Sequence, residues 1–225
     1  MSESAAQKLK RYQIPLINHT RYMGMFMASH AIPDSILVLH MGTGCKMKGS
    51  LHMSDFFRES FSQVCWTEVS GIDIVSDSHS MIEDTVLTNF ERRKPGVIAI
   101  ATSSVIDMTG FDMQETVDAL QDRVGCPLVY IPTPGYEGDL YDGLADYTWA
   151  MLDFVDWTRR PEPDTVNILG YPFDRYEMDH MANIHELRRL LGMLGLRVAS
   201  WFFSGQKAGQ LLDAGRGALN IALPY

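Results

Sequence analysis

The chain has 225 residues, 46% hydrophobic and 21% charged, which is long enough for a substantial core and excludes disordered, collagen-like and coiled-coil classes. Nineteen basic against twenty-eight acidic residues leave a net charge of −9, so binding of nucleic acid has no bulk electrostatic support. The N-terminal residues carry no apolar signal segment, and no apolar run approaches the roughly 18 residues that span a bilayer. The expectation is a cytoplasmic protein with no membrane span.

In chain order the pattern is alternation of short apolar runs and amphipathic stretches. Ile36-Leu-Val-Leu39 is a strand-length run that ends in the turn His40-Met-Gly-Thr-Gly-Cys45, and a mixed stretch to about Phe61 follows. Ser80-Met-Ile-Glu83 reads as a capping box opening a helix to about Arg93, which Pro95-Gly96 stops. Val97 to Ala101 is a buried-strand run leading into the loop Thr102-Ser-Ser104. Asp112 with Glu115 starts a helix ending near Gly125, Leu128 to Ile131 is the next strand, and Pro132-Thr-Pro-Gly135 turns toward a helix from about Gly138 to Trp157.

Arg159-Arg-Pro-Glu-Pro-Asp164 has the composition of a linker, which predicts a domain over 1–160 and a second over 161–225. The second contains a strand at Val166 to Gly170, a helix at about Met178 to Leu194, a strand at Arg197 to Phe203, a short helix at Gln206 to Ala214, and a strand at Leu219 to Leu223. Strand–helix repetition with short connections predicts an α/β protein: tandem Rossmann-like parallel-sheet domains with helices on both faces. Three strands make about half of a doubly wound domain, so the second is expected to be incomplete, as in a fragment of a longer protein, or else to have its open face covered by a partner chain.

Most candidate motifs fail on spacing. The Gly42-Thr-Gly44 turn lacks the third glycine of a dinucleotide fingerprint, and Ser50 stands where a phosphate loop needs Lys. His180 and His185 are five apart, off a common helical face, and no G-x-S-x-G elbow supports Ser103 or Ser104 as a nucleophile. Glu83 and Asp84 read as helix-dipole partners. Three cysteines without C-x-x-C spacing suggest neither a disulfide framework nor a self-sufficient zinc site. Cys65 and Cys126 read as packing residues. Cys45 differs: glycines precede it, Lys46 and Lys48 follow or flank it, and a helix N-terminus there favours the thiolate form that binds metal or attacks electrophiles.

Taken in order, His40 to Cys45, Ser80-Met-Ile-Glu-Asp-Thr-Val-Leu87, Ile98 to Asp112, Ile131-Pro-Thr-Pro-Gly-Tyr136, Val166 to Gly170 and His185-Glu-Leu-Arg-Arg-Leu-Leu191 resemble the nitrogenase component-1 family over most of the chain. The pieces look most like β-type subunits, such as the small subunit of chlorophyllide reductase and the nitrogenase β-chain. The resemblance implies an inter-subunit iron–sulfur cluster with Cys45 as its metal ligand. It makes Ser104 and His30 candidate weaker cofactor-binding residues, at positions where the family often has cysteine. It implies two partners, a homologous α-type subunit and an ATP-dependent iron–sulfur reductase component. Electrons would pass through the cluster to a substrate, a tetrapyrrole being one plausible case, at a boundary faced by Tyr136 and Glu137. Two other readings stay open: a clusterless scaffold or assembly subunit, and a thiol-dependent enzyme in which His40 assists Cys45 as nucleophile.

Overall fold

The computed structural model describes residues 20–45, 64–76, 79–134, 137–169 and 179–223. The mixed stretch after Cys45, with Lys46 and Lys48, and Tyr136 in the loop after Ile131 lie outside them. Helix α1 (Arg21–His30) leads into strand β1 (Ser35–His40); β2 (Val64–Trp66), α2 (Gly71–Val75), α3 (His79–Arg93) and β3 (Val97–Thr102) follow. Then come α4 (Ser104–Asp107), α5 (Met113–Gln121), β4 (Leu128–Ile131) and α6 (Leu140–Leu152). The remaining elements are β5 (Glu162–Leu169), α7 (His180–Met193), β6 (Arg197–Trp201), α8 (Ala208–Leu212), a 3-10 turn (Asp213–Arg216) and β7 (Gly217–Ala222).

The strands form two sheets, ordered β2-β1-β3-β4 and β6-β5-β7, with every pairing parallel. The apolar runs of β1 and β3 are continuous because both faces of the first sheet are covered. Leu37, Leu39, Ala99, Ala101, Val129 and Ile131 pack under α1 and α6. Ile36, Val38, Ile98, Ile100 and Leu128 pack under α3 and α5. This is the α/β architecture expected from the alternation. In the second sheet Val166, Ile168 and Trp201 pack with Ile184 and Leu191 of α7. Phe202, Phe203, Leu211 and Ala214 instead join the core formed by α1 and α6, so the two sheets share apolar packing.

Helix starts follow local chemistry, though not always the chemistry expected. The Asp112 side chain accepts from Glu115 N at 3.0 Å and caps α5. A capping box forms at α6, where Asp139 accepts from Tyr141 and Asp142 amides and Asp142 accepts from the Asp139 amide. The box expected at Ser80 does not form: α3 already includes His79, and Glu83 reaches across to Arg123 at 2.5 Å. Helix α6 ends at Leu152, five residues before Trp157, whose indole N–H returns to Leu152 O at 3.1 Å. The charged stretch expected as linker is half strand. Glu162 opens β5 and pairs with Arg216 at 2.7 Å and Arg197 at 3.6 Å, while Asp164, at φ 59°, sits in a bulge against β7.

Two glycines set the layer over the first sheet. A Cβ on Gly24 of α1 would lie 1.8 Å from Leu140 O, and one on Gly143 of α6 would lie 1.9 Å from Arg21 O. The helices therefore cross with backbone against backbone, and an ion pair, Arg21 to Asp146 at 2.7 Å, closes one end of the contact. Adding one methyl at either position forces the helices apart. Gly24→Ala and Gly143→Ala are each expected to lower unfolding free energy by about 3 kcal/mol, read from urea denaturation, with Gly209→Ala, which meets nothing within 4 Å, as the control.

Candidate functional site

The first sheet places its candidate site at the carboxyl ends of β1 and β3. From β1 the chain crosses to β2 on one side, whereas β3 and β4 lie on the other, so the strand order diverges between β1 and β3. Open parallel sheets leave a crevice at such a point. His40 and Thr102, the last residues of the two strands, are directly paired in register. Beyond them the chain continues into Met41 to Cys45 on one side and Ser103 to Asp107 on the other.

On the β1 side, Gly42 bridges to Val69, and Val69 N donates to Met41 O at 3.1 Å, extending the ladder past the strand end. Residues 43–45 turn helical, Cys45 N donating to Gly42 O at 3.0 Å, and Cys45 is exposed. The other thiols differ. Cys65, on edge strand β2, is half-buried, and burial raises its pKa. Cys126 is buried, and burial, helped by the Asp34 charge, pushes it up to about 11. The first turn of α1 reaches the same edge: burial raises the Tyr22 phenol, and a negative charge on Cys45 raises it further. The Tyr22 hydroxyl is buried with no hydrogen-bond partner among the described residues.

On the β3 side, Ser104 is the first residue of the four-residue α4 and is partly buried. It shares the carboxyl edge with Cys45. His30 does not. It ends α1, next to Ser29, whose hydroxyl lies 2.7 Å from that of Ser35 at the opposite, amino end of β1. Eight helical residues, about 12 Å, separate it from Tyr22, so the expectation that His30 stands with Cys45 meets a sheet turned the other way. The helix does bring residues to Cys45, but from its start, and a histidine near a cysteine in sequence carried no signal for which end of the helix would face it. Glu137, expected at the substrate boundary, is exposed beyond the same edge, its amide donating to Pro134 O.

Beneath this edge runs a polar row that the sequence reading missed apart from His40. Strand alternation points His40, Thr102 and Tyr130 to the face covered by α3 and α5. His40 is fully buried, its Nδ1 lies 2.9 Å from Thr67 Oγ1, and its ring stacks on Phe111 at 5.6 Å. Phe111 also stacks on His79, which bonds Thr116. Thr102 donates to Asp107, and Thr133 donates to Thr102 O at 2.5 Å. Burial raises the Asp107 carboxyl, with the Thr102 bond opposing the shift. Asp107 Oδ2 and Ser103 Oγ are buried without a hydrogen-bond partner among the described residues. Alternation of strand residues was the available signal, since each of the three polar residues continues an inward-facing apolar series.

Burial, and secondarily the charge of His79, lower the His40 pKa from 6.5 to about 4. The unfolded chain therefore binds a proton that the folded protein refuses, and stability falls with pH across that window. Unfolding free energy is expected to be full above pH 6.5 and to fall by up to about 3 kcal/mol on approaching pH 4. His40→Leu should flatten urea midpoints between pH 7 and 5. Thiol reactivity is a second readout: exposed Cys45 should alkylate fastest and Cys126 slowest, by mass spectrometry of iodoacetamide-treated protein.

A metal–sulfur cluster needs several soft donors. No group of three or more His, Cys, Asp or Glu residues comes together among the described residues. The described donors fit one thiolate arm of a shared cluster and do not fit a cluster held by the described residues alone.

The parallel α/β fold agrees with what comparison finds. The family model for nitrogenase component 1 type oxidoreductases matches residues 20–224, and the chain belongs to that family. It is similar to the nitrogenase iron-molybdenum cofactor biosynthesis protein NifN of Nostoc sp., 23% identical over 92% of this chain and 50% of that protein. The corresponding biosynthesis protein NifE of Methanococcus maripaludis is 23% identical over 89% of this chain and 42% of its own length. The nitrogenase molybdenum-iron protein beta chain of Bradyrhizobium diazoefficiens is 22% identical over 78% and 35%. Among solved structures, nitrogenase Cp1 at pH 6.5 superposes with a TM-score of 0.74 at 18% identity, over 93% of this chain and 42% of that one. The chain thus spans about half the length, or less, of the relatives it matches. No described helix is long and apolar enough to cross a membrane.

Proposed function

We propose that the chain is a β-type subunit of a nitrogenase-like complex, contributing the Cys45 thiolate to an iron–sulfur cluster shared with a homologous α-type subunit. The observation that carries this reading is an exposed thiol at the carboxyl edge of the first sheet, where the strand order diverges. When bound, such a cluster passes single electrons between an external reductase and a substrate. Cys45 would bind iron through its sulfur, and Ser104, on the same edge, is the candidate oxygen ligand. His30 lies too far along α1 for that role. Exposed Ile72 on α2, Val105 on α4 and Met108 just after α4 offer apolar surface beyond the same edge for the α-type subunit to cover. In this reading an ATP-dependent iron–sulfur reductase supplies the electrons, and the substrate is reduced at the subunit boundary. The lengths 1–160 and 161–225 are the proposed domains, the first carrying the site.

A second reading is an assembly or scaffold subunit. It is favoured by the biosynthesis names of the NifN and NifE relatives and by the single thiol donor on the described edge. Iron and acid-labile sulfide on anaerobically purified protein, co-expressed with a homologous α-type subunit, separate the two. The electron-transfer reading expects iron and a dithionite-dependent paramagnetic signal in wild type, both lost in Cys45→Ala while the complex still forms. Absence of both from wild-type complex would sink it in favour of the scaffold.

A further inference from the structure

Cys45 is exposed, so its sulfur keeps its place through the backbone beneath it. Strand β2 ends at Trp66, yet residues 67–69 stay beside the end of β1. Thr67 N donates to Leu39 O at 3.2 Å, Val69 N donates to Met41 O at 3.1 Å, and Gly42 bridges to Val69. Cys45 N donates back to Gly42 O at 3.0 Å. The turn that presents the thiol therefore hangs on residues 67–69.

That segment carries a strained residue. Glu68 stands at φ 54°, a left-handed conformation that is costly for any residue but glycine and persists where its neighbours are firmly held. On one side Val69 is buried with its N–H in the ladder; on the other Thr67 is buried and bonded through its side chain. The Thr67 hydroxyl gives its hydrogen to Leu39 O at 3.4 Å, so it accepts from His40 Nδ1, 2.9 Å away. Burial keeps the imidazole neutral at pH 7, and its single N–H is thus on Nδ1. Phe111, stacked on both His40 and His79 with ring centres 5.6 and 4.1 Å away, fixes the plane of the ring.

We propose that His40 and Thr67 form a clasp that positions Cys45: the bond between them fixes residues 67–69, and through these the turn that carries the thiol. Both are positioning residues, acting through the backbone of the turn. The consequence for function rests on the reading of Cys45 as a cluster ligand, whereas the clasp is a property of this chain alone.

Amide hydrogen exchange of the full chain at pH 7, read residue by residue by NMR, tests the clasp. Thr67→Val keeps the shape and removes the hydroxyl, and His40→Gln keeps an N–H donor but moves it away from the Nδ1 position. Each is expected to speed exchange of the Cys45 and Val69 amides by about tenfold, with the amides of β3 unchanged. The double variant should exchange no faster than either single one, and His40→Asn, whose amide nitrogen stands where Nδ1 does, should restore the wild-type rate. In the anaerobic complex with the α-type subunit, a chelator should strip iron at least about tenfold faster from Thr67→Val than from wild type. Unchanged exchange at Cys45 and Val69, additive effects of the two single variants, or failure of His40→Asn to restore would each overturn the clasp. Iron held as firmly as in wild type by a variant whose exchange has risen would overturn the positioning role. If the variants do not fold, nitrogen-15 NMR of the wild-type imidazole decides: a proton on Nδ1 is expected, and one on Nε2 overturns the proposal. A wild-type complex without iron removes the cluster reading, and the exchange rates still decide the clasp.

Discussion

The contact on which the first sheet's site depends is the crossing of α1 and α6 at Gly24 and Gly143. With hydrogen in place of a side chain at both positions, each helix brings its backbone against a carbonyl of the other. That closeness lets Met25, Phe26 and Ala28 from one helix and Leu144, Tyr147 and Met151 from the other fill a single layer over β1 and β3. It also fixes which way α1 runs. Its first turn, with Tyr22, comes to the carboxyl edge of the sheet beside Cys45, and its last residue, His30, is left at the amino edge. The core is built from apolar bulk, but its geometry is set by two positions where bulk is excluded.

The carboxyl edge combines two environments separated by the plane of the sheet. Toward α3 and α5, His40, Thr102 and Tyr130 end three apolar series with hydrogen-bonding groups, and Thr67, Thr116, Asp107 and Phe111 close over them. This row is buried, so His40 stays neutral and Asp107 holds its proton more tightly than an exposed carboxyl. Toward solvent, the turn after Met41 lifts Cys45 clear of the core. A rigid, polar-capped strand end beneath an exposed thiol would hold Cys45 in place in the ligand role proposed for it. Its structural cost is a set of buried atoms at the edge that have no hydrogen-bond partner among the described residues: Tyr22 OH, Ser103 Oγ and Asp107 Oδ2.

The two sheets are joined through Asp34 as well as through apolar packing. This residue precedes β1, its carbonyl accepts from Gly96 N at 2.9 Å, and its carboxylate accepts from Ala208 N at the start of α8 at 2.8 Å. One side chain thus ties the start of the first sheet to a helix of the second unit, 174 residues away in sequence. The charged stretch ahead of β5 has a similar part. Glu162 holds Arg216 and Arg197, so charges that read as linker instead fasten the start of one strand to the starts of its two neighbours.

Much of this was legible in the sequence because it depends on period and local chemistry. Continuous apolar runs at Val97 to Ala101 and Ile36 to Leu39 have the length and the flanking turn residues of strands covered on both faces, and their alternation with helices points to a parallel sheet. Asp112 marks a helix start by its own side chain. The glycines before Cys45 mark a turn after a strand, which locates the candidate thiol at a sheet edge. What the tertiary structure alone decided was direction and proximity. His30 and Tyr22 lie on one helix, and only its crossing with α6 determines which of them meets Cys45. Ser80 and Glu83 have the spacing of a cap, but the helix begins a residue earlier and Glu83 finds Arg123 across 40 positions. The hydrogen bonds of the Asn167 amide are invisible in sequence for the same reason: its partners and its neighbouring glycine come from a strand and a turn about fifty residues away, and long-range packing, with no repeating period, brings them together.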